Sequence, residues 1–255
     1  MATTSLEINR EGRVLRLTLN RPEKRNALNA ELCRALVETM SEAQHDSRIS
    51  AILLGANGDV FCSGMDLNEA VAPDAAQKSA IHESLFTIGA RISKPIVAAV
   101  RGRALAGGMG LVANAHIVVT ADNASFGLTE IRIAMWPYVV FRAVASAIGE
   151  RRAVELSLTG RTFGAGDALA WGLTHYVVAG PEVDSKATEI ATALSRYSPK
   201  TISQGLGFVL QSRGLSVSEA ARLALTARAE AFQGADFAEG VRAFKEKRPP
   251  KWHPG

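Results

Sequence analysis

Apolar residues come in short bursts along this chain, and their spacing switches between a period of two and a period of about 3.6. Leu15, Leu17 and Leu19 alternate with Arg16 and Thr18, and Glu11-Gly12 supplies a turn before them, so residues 6 to 19 read as a β-hairpin. Asn29 is placed to cap a helix in which Leu32, Leu36, Met40 and Ala43 recur at helical spacing. Residues 51 to 54 and 96 to 100 are unbroken apolar runs of the length of buried strands, and 117 to 120 reads as another buried strand. Ile81, Leu85 and Ile88 mark a helix before the second of these runs, whereas 66 to 76 is polar, alanine-rich and carries Pro73, and reads as a mobile loop. Helices are expected over 139 to 148, ended by Gly149, and over 151 to 158 and 165 to 171; 176 to 178 is a short strand. From Glu182 the pattern is helical, broken near Pro199 and Gly214. Strands alternating with helices imply crossover connections and parallel pairing, hence an α/β protein. No clean internal sequence repeat is visible.

With 255 residues, 47% of them hydrophobic, the chain is long enough to bury a sizeable core as one unit. Its net charge of +4 is dispersed, which describes a solvated surface, argues against nucleic acid as a partner and suits a polyanionic small molecule. Two cysteines, Cys33 and Cys62, are too few for a disulfide framework and fit a reducing, cytoplasmic setting. Residues 1 to 7 lack a basic region followed by an apolar core, so no signal peptide is read, and no apolar run is long enough for a membrane span. The five histidines show no metal-ligand spacing; His116 reads as a packed residue and Cys62 as a small buried hydrophobe.

The candidate chemistry lies in glycine-rich turns. After the apolar run 96 to 100 come Gly102, Gly107, Gly108 and Gly110, then a new apolar segment. A buried strand emptying through glycines into a helix presents bare N–H groups at the positive end of the helix dipole, and so stabilises negative charge on a ligand. The spelling is neither that of a phosphate-binding Gly-Lys-Ser/Thr loop, nor of a dinucleotide fingerprint, nor of a Gly-x-Ser-x-Gly nucleophile elbow. An oxyanion remains; so does the plainer reading of a tight turn that lets a helix pack on a sheet. A second segment, Leu54 to Leu67, repeats the plan of strand, glycine loop and helix start.

Together these segments resemble the crotonase (enoyl-CoA hydratase/isomerase) family. The resemblance rests on Phe-x-x-Gly-x-Asp-Leu at Phe61 to Leu67 and on Lys94-Pro95 through Gly107-Gly108. It is extended by Leu19 to Pro22, Asn26 to Asn29 and Ala243 to Pro249, so it covers nearly the whole chain. It implies a spiral of ββα units, with a core over 1–195 and a helical oligomerisation region over 196–255 that builds a homotrimer or hexamer. It implies an acyl-CoA substrate, with no membrane or nucleic-acid partner. No separate cofactor is expected, coenzyme A entering as part of the thioester, and no metal.

By the same resemblance the backbone N–H groups of Met65 and Gly107 form an oxyanion hole for a thioester enolate, and Arg25, Ala27, Ser63, Asp66, Leu67 and Gly110 line the substrate. Without it, the loop around Lys24 to Ala27 is a solvated basic turn. Hydratases of the family carry two glutamates. At the first position this sequence has Gly110, in Gly108-Met109-Gly110; at the second it has Glu130, in Phe126-Gly127-Leu128-Thr129-Glu130. Burial would raise the Glu130 pKa toward working pH; pairing with Arg132 at the surface is the plainer alternative. A single base suits a Δ3,Δ2-enoyl-CoA isomerase. The run from Glu130-Ile131-Arg132-Ile133 to Glu150-Arg151 resembles hydratases of the methylglutaconyl-CoA type, which favours water addition; a CoA-ester binding protein with weak catalysis is the third reading. Tyr138 either reshapes the acyl pocket, donates a proton, or packs in the core. Phe244 and Lys247 match positions that touch the CoA adenine and phosphates from a neighbouring subunit, and otherwise belong to a solvated terminal helix.

Overall fold

The computed structural model of the protein describes residues 4–70 and 75–252, and for 70 and 75–79 the main chain only. The hairpin is formed by β1 (Leu6–Glu11) and β2 (Val14–Leu19), antiparallel, with Leu6 opposite Leu19 and Glu11 opposite Val14. Asn29 accepts the Leu32 N–H at 3.0 Å and starts α1 (Ala30–His45), whose buried stripe is Leu32, Leu36, Met40 and Ala43. β3 (Ala51–Ala56), β5 (Ile96–Val100) and β7 (Ile117–Ala121) pair in parallel behind β2, and β10 (Tyr176–Val178) adds to β7, giving the order β1-β2-β3-β5-β7-β10. Every residue of β3 and β5 is buried, which is why both read as continuous apolar runs rather than alternating ones. Helix α8 (Val183–Leu194) covers this sheet, with Val183, Ala187 and Ala191 one turn apart on its buried side.

A second sheet, β4-β6-β8-β9, was not expected. β4 (Val60–Cys62), β6 (Arg103–Leu105), β8 (Ser125–Gly127) and β9 (Thr162–Gly164) have three residues each, too few to display a period. The chain visits the sheets alternately: β3 then β4, β5 then β6, β7 then β8. Helices come after each pair: α2 (Leu67–Ala70) and α3 (Ala75–Arg91), then α4 (Gly107–Asn114), then α5 (Tyr138–Ile148) and α6 (Glu150–Thr159). This is the spiral of ββα units that the resemblance implied and the letters alone did not reveal. The expected loop 66 to 76 contains α2 and the start of α3; its residues 71–74, with Pro73, lie outside the described residues.

Gly89 shows how closely the helices approach. A Cβ there would lie 2.9 Å from both the carbonyl carbon and the Cβ of Asn114. Helix α7 (Ala165–Ala170) leads to β10, and the chain then runs through α8 into α9 (Pro199–Ser212), α10 (Val217–Phe232) and α11 (Ala235–Lys245). Neither α9 nor α10 buries a residue fully, and Val209, Leu225, Phe232 and Phe244 stand exposed. Both cysteines are fully buried, and burial pushes each thiol up to about 12, so they sit in the core as hydrophobes.

Candidate active site

The small sheet assembles the site. β4, β6 and β8 are neighbours and run parallel, with Cys62 opposite Ala104 and Leu105 opposite Gly127. Three chain segments therefore leave the same edge of one sheet side by side: Gly64-Met65 after β4, Ala106-Gly107 after β6, and Leu128 to Glu130 after β8. Neighbouring strands are about 4.8 Å apart, so the three segments start close together.

The Met65 N–H is aimed by its neighbours. Leu28 N–H donates to the Gly64 carbonyl at 2.8 Å and Asp66 N–H donates to the Leu28 carbonyl at 2.9 Å. Successive groups of an extended segment point opposite ways, so the Met65 N–H faces away from Leu28. The Gly107 N–H opens α4 and has no partner within the helix. Neither N–H has an acceptor among the described residues. The two turns touch: a Cβ on Gly64 would lie 3.4 Å from the Gly107 nitrogen, and a Cβ on Gly107 would lie 3.5 Å from the Gly64 Cα. Ala106, between strand and helix, has φ 50° and ψ −119°, a region strained for any residue but glycine, and its N–H is held by the Gly127 carbonyl at 2.8 Å.

Glu130 opens a 3-10 turn, Glu130–Ile133, directly after β8. Its Oε2 is buried and has no hydrogen-bond partner among the described residues. Burial pushes its pKa up to about 7, against a hydrogen bond from its own main-chain N–H that lowers it. The alternative pairing with Arg132 is not made: the Arg132 guanidinium donates to the Gly160 carbonyl at 2.6 Å.

The loop 21–28 is stitched to the 57–66 loop. Arg21 meets the Asp66 carboxylate at 3.1 Å, with both side chains largely buried, and also donates to the Ala27 carbonyl. The fully buried Asn26 side chain donates to the Asn57 and Val60 carbonyls at 2.9 and 2.8 Å and accepts the Arg21 N–H at 2.8 Å. Ser63 N–H donates to the Arg25 carbonyl at 3.1 Å. Arg25, Ala27, Ser63 and Asp66 are thereby gathered beside Met65; in this chain the Asp66 carboxylate is spent on Arg21. Leu67, opening α2, is exposed.

Gly110 lies on α4 with no room for a side chain. A Cβ there would be 2.5 Å from Val140 Cγ1 and 2.9 Å from Phe86 Cε1. The place of the first glutamate is therefore filled by α5 and α3. Tyr138 lies two residues before Val140, about 200° round the helix at 100° per residue, and is 75% exposed, so it is not a core residue of the chain. Phe244 is 85% exposed. It lines a cavity of about 650 Å³ with Tyr197, Phe237, Val241 and Trp252, none of which belongs to the loop cluster. Lys247, just past α11, is exposed with φ 52°. Within one chain, Phe244 and Lys247 are not brought to Met65, Gly107 and Glu130.

Sequence reasoning gave no role to Arg21, Asn26, Phe86 or Val140. Arg21 and Asn26 lay inside quoted motifs, and two buried polar residues in a short loop were a signal that they staple it. Phe86 lies beside the Leu85 stripe and had no signal of its own.

The enoyl-CoA hydratase/isomerase family model matches residues 9–254. Mevalonyl-coenzyme A hydratase of Aspergillus fumigatus is 36% identical over 257 aligned residues, covering 94% of this chain and 92% of that protein. Enoyl-CoA hydratase EchA19 of Mycobacterium tuberculosis is 32% identical, covering 96% and 95%. The crystal structure of an enoyl-CoA hydratase from Mycobacterium smegmatis superposes with a TM-score of 0.92 at 29% identity, over 98% of this chain and 99% of that one. Match of model, relatives and fold over almost the full length agrees with the two glycine turns meeting at one sheet edge: the chain belongs to the enoyl-CoA hydratase/isomerase, or crotonase, family.

Proposed function

We propose that the protein adds water to 2-enoyl-CoA thioesters. The observation that carries this reading is one end of a small parallel sheet bearing two acceptor-free N–H groups and a half-buried carboxylate whose inner oxygen, Glu130 Oε2, has no partner among the described residues. The thioester oxygen accepts from Met65 N–H and Gly107 N–H. Glu130 as carboxylate takes a proton from water, whose oxygen bonds to Cβ. The electron pair of the double bond moves through Cα onto the thioester oxygen, where the two N–H groups stabilise the enolate; each such donor is worth about 100- to 1000-fold. Cα then takes a proton from Glu130, now the acid. A group titrating near 7 suits both halves of the cycle.

The test is to supply crotonyl-CoA and 3-hexenoyl-CoA separately. Loss of enoyl absorbance with a water-mass gain on crotonyl-CoA is the expected result; conversion of the 3-enoyl ester alone identifies an isomerase and overturns the hydratase reading. Tyr138→Phe is expected to leave kcat within about threefold, because the ring lies on the far side of α5 from Gly110, and a loss beyond about tenfold, in the range of a lost proton donor, assigns it that role. Exposed apolar residues on α9 to α11 support a homotrimer or hexamer in which Phe244 and Lys247 meet the CoA of a neighbouring copy. The core unit 1–195, the oligomerisation region 196–255 and a cytoplasmic setting, consistent with two buried free thiols, belong to this same proposal. Among the described residues no helix is long and apolar enough to cross a membrane.

A further inference from the structure

The wall beside the paired amides is made by Leu28 and by two side chains outside the family motifs, Phe86 and Val140. Gly89 of α3 rests against Asn114 at the end of α4. Phe86 lies about one turn before Gly89 and Gly110 about one turn before Asn114, so the helices run the same way at this contact. The close approach at Gly89 presses the Phe86 ring onto the first turn of α4. A Cβ on Gly107 would be 3.1 Å from Phe86 Cζ and 3.1 Å from Leu28 Cδ1, and one on Gly110 would be 2.9 Å from Phe86 Cε1 and 2.5 Å from Val140 Cγ1. Leu28, Phe86 and Val140 are all buried, and α3, α4 and α5 pack on one another around them.

An acyl group whose oxygen is held by Gly107 has its next carbons beside this first turn. We propose that Phe86 and Val140 form the end of the acyl slot and restrict the enzyme to short 2-enoyl groups of about four carbons, because each further methylene must displace packed apolar atoms rather than water. This rests on the hydratase reading. Where a two-carboxylate site would place an ionisable side chain at position 110, this chain places a methyl group and a ring edge, so the slot ends in an apolar wall and an acyl group with a charged or hydroxylated end is disfavoured with the long ones.

The experiment compares kcat/KM for trans-2-crotonyl-, hexenoyl- and decenoyl-CoA in the wild type, Phe86→Ala, Phe86→Leu and Val140→Ala. The wild type is expected to prefer crotonyl- over decenoyl-CoA by about tenfold or more, and Phe86→Ala to raise the decenoyl-to-crotonyl ratio by about tenfold or more, with Val140→Ala and Phe86→Leu between. The ratio is independent of how much of a variant folds, so loss of stability does not mimic the effect. Equal use of both chain lengths by the wild type, or an unchanged ratio in Phe86→Ala and Val140→Ala, overturns the proposal. Absence of turnover at every chain length in the wild type is a different result: it removes the hydratase reading and this inference with it.

Discussion

Glu130→Gln is expected to cost turnover about 100- to 10,000-fold in kcat/KM for crotonyl-CoA while making the fold more stable at alkaline pH. The activity half rests on position, since Glu130 is the carboxylate delivered by β8 to the edge where Met65 and Gly107 present their N–H groups, and Gly110 supplies no second acid. Wild-type kcat/KM should rise with pH and reach half of its plateau near 7, the value to which burial pushes this group, and the variant's residual activity should lose that limb. The stability half rests on linkage. The folded state holds the Glu130 proton up to about 7, whereas the unfolded chain releases it near the ordinary value of 4.5. On raising pH through this interval the unfolded state binds fewer protons than the folded one, so folding stability falls, and the whole loss is present above 7. Glutamine carries no charge to bury. The variant should therefore match the wild type at pH 4.5 and exceed it at pH 8 by up to about 3 kcal/mol, read as a higher Tm. Near-normal turnover, or a Tm below that of wild type at pH 8, is incompatible with a desolvated carboxylate that does the proton transfer.

That carboxylate illustrates what the letters disclose. Its place after Phe126-Gly127 was legible because a motif marks it, and the flanking Leu128 and Ile131 hinted at burial. Its geometry was not, because the strand that carries it, β8, has only three residues. The large sheet was legible: β3 and β5 are continuous apolar runs and β7 departs from one only at Thr120, since burial on both faces leaves no alternation. The helices were legible through their stripes and their punctuation, as at Asn29 before α1 and Gly149 after α5. The small sheet leaves no periodic trace, yet it alone explains why two glycine turns 42 positions apart and an acid further on share one edge. Contacts set by the absence of atoms were equally silent. Gly110 read as a missing glutamate; the structure adds that Val140 and Phe86 occupy the room, so the departure is a matter of packing on three helices rather than of one substituted position.

Gly108→Ala should be a strongly damaging single methyl in the molecule's functional region. Gly108 stands in the first turn of α4, where an added Cβ overlaps the carbonyl oxygen of Cys62 and lies 2.9 Å from that residue's carbonyl carbon and Cβ. The obstacle is backbone at the end of β4, itself held by pairing to β6, so it cannot rotate aside. To admit the methyl, α4 and β4 must part by about an ångström, a change costing about 1–3 kcal/mol or more in a packed core. The direction of that movement decides the functional effect. Gly107 is one residue before the intruding methyl and Met65 three residues after Cys62, so the strain separates the two N–H donors from each other. A displacement of this size at a reacting centre costs about 100-fold, and it should fall on kcat more than on KM, because the neighbouring loop 21–28 is held separately through Arg21 and Asn26. Gly110→Ala, two residues on, is the control: its Cβ meets side-chain atoms, Val140 Cγ1 at 2.5 Å and Val140 Cβ and Phe86 Cε1 at 2.9 Å, rather than the strand backbone, so a smaller loss of stability and a smaller loss of kcat are expected. If Gly108→Ala keeps kcat while Gly110→Ala loses it, the spacing between α4 and β4 does not set the distance between the amides, and the stabilisation of the thioester oxygen must be sought in another part of the edge.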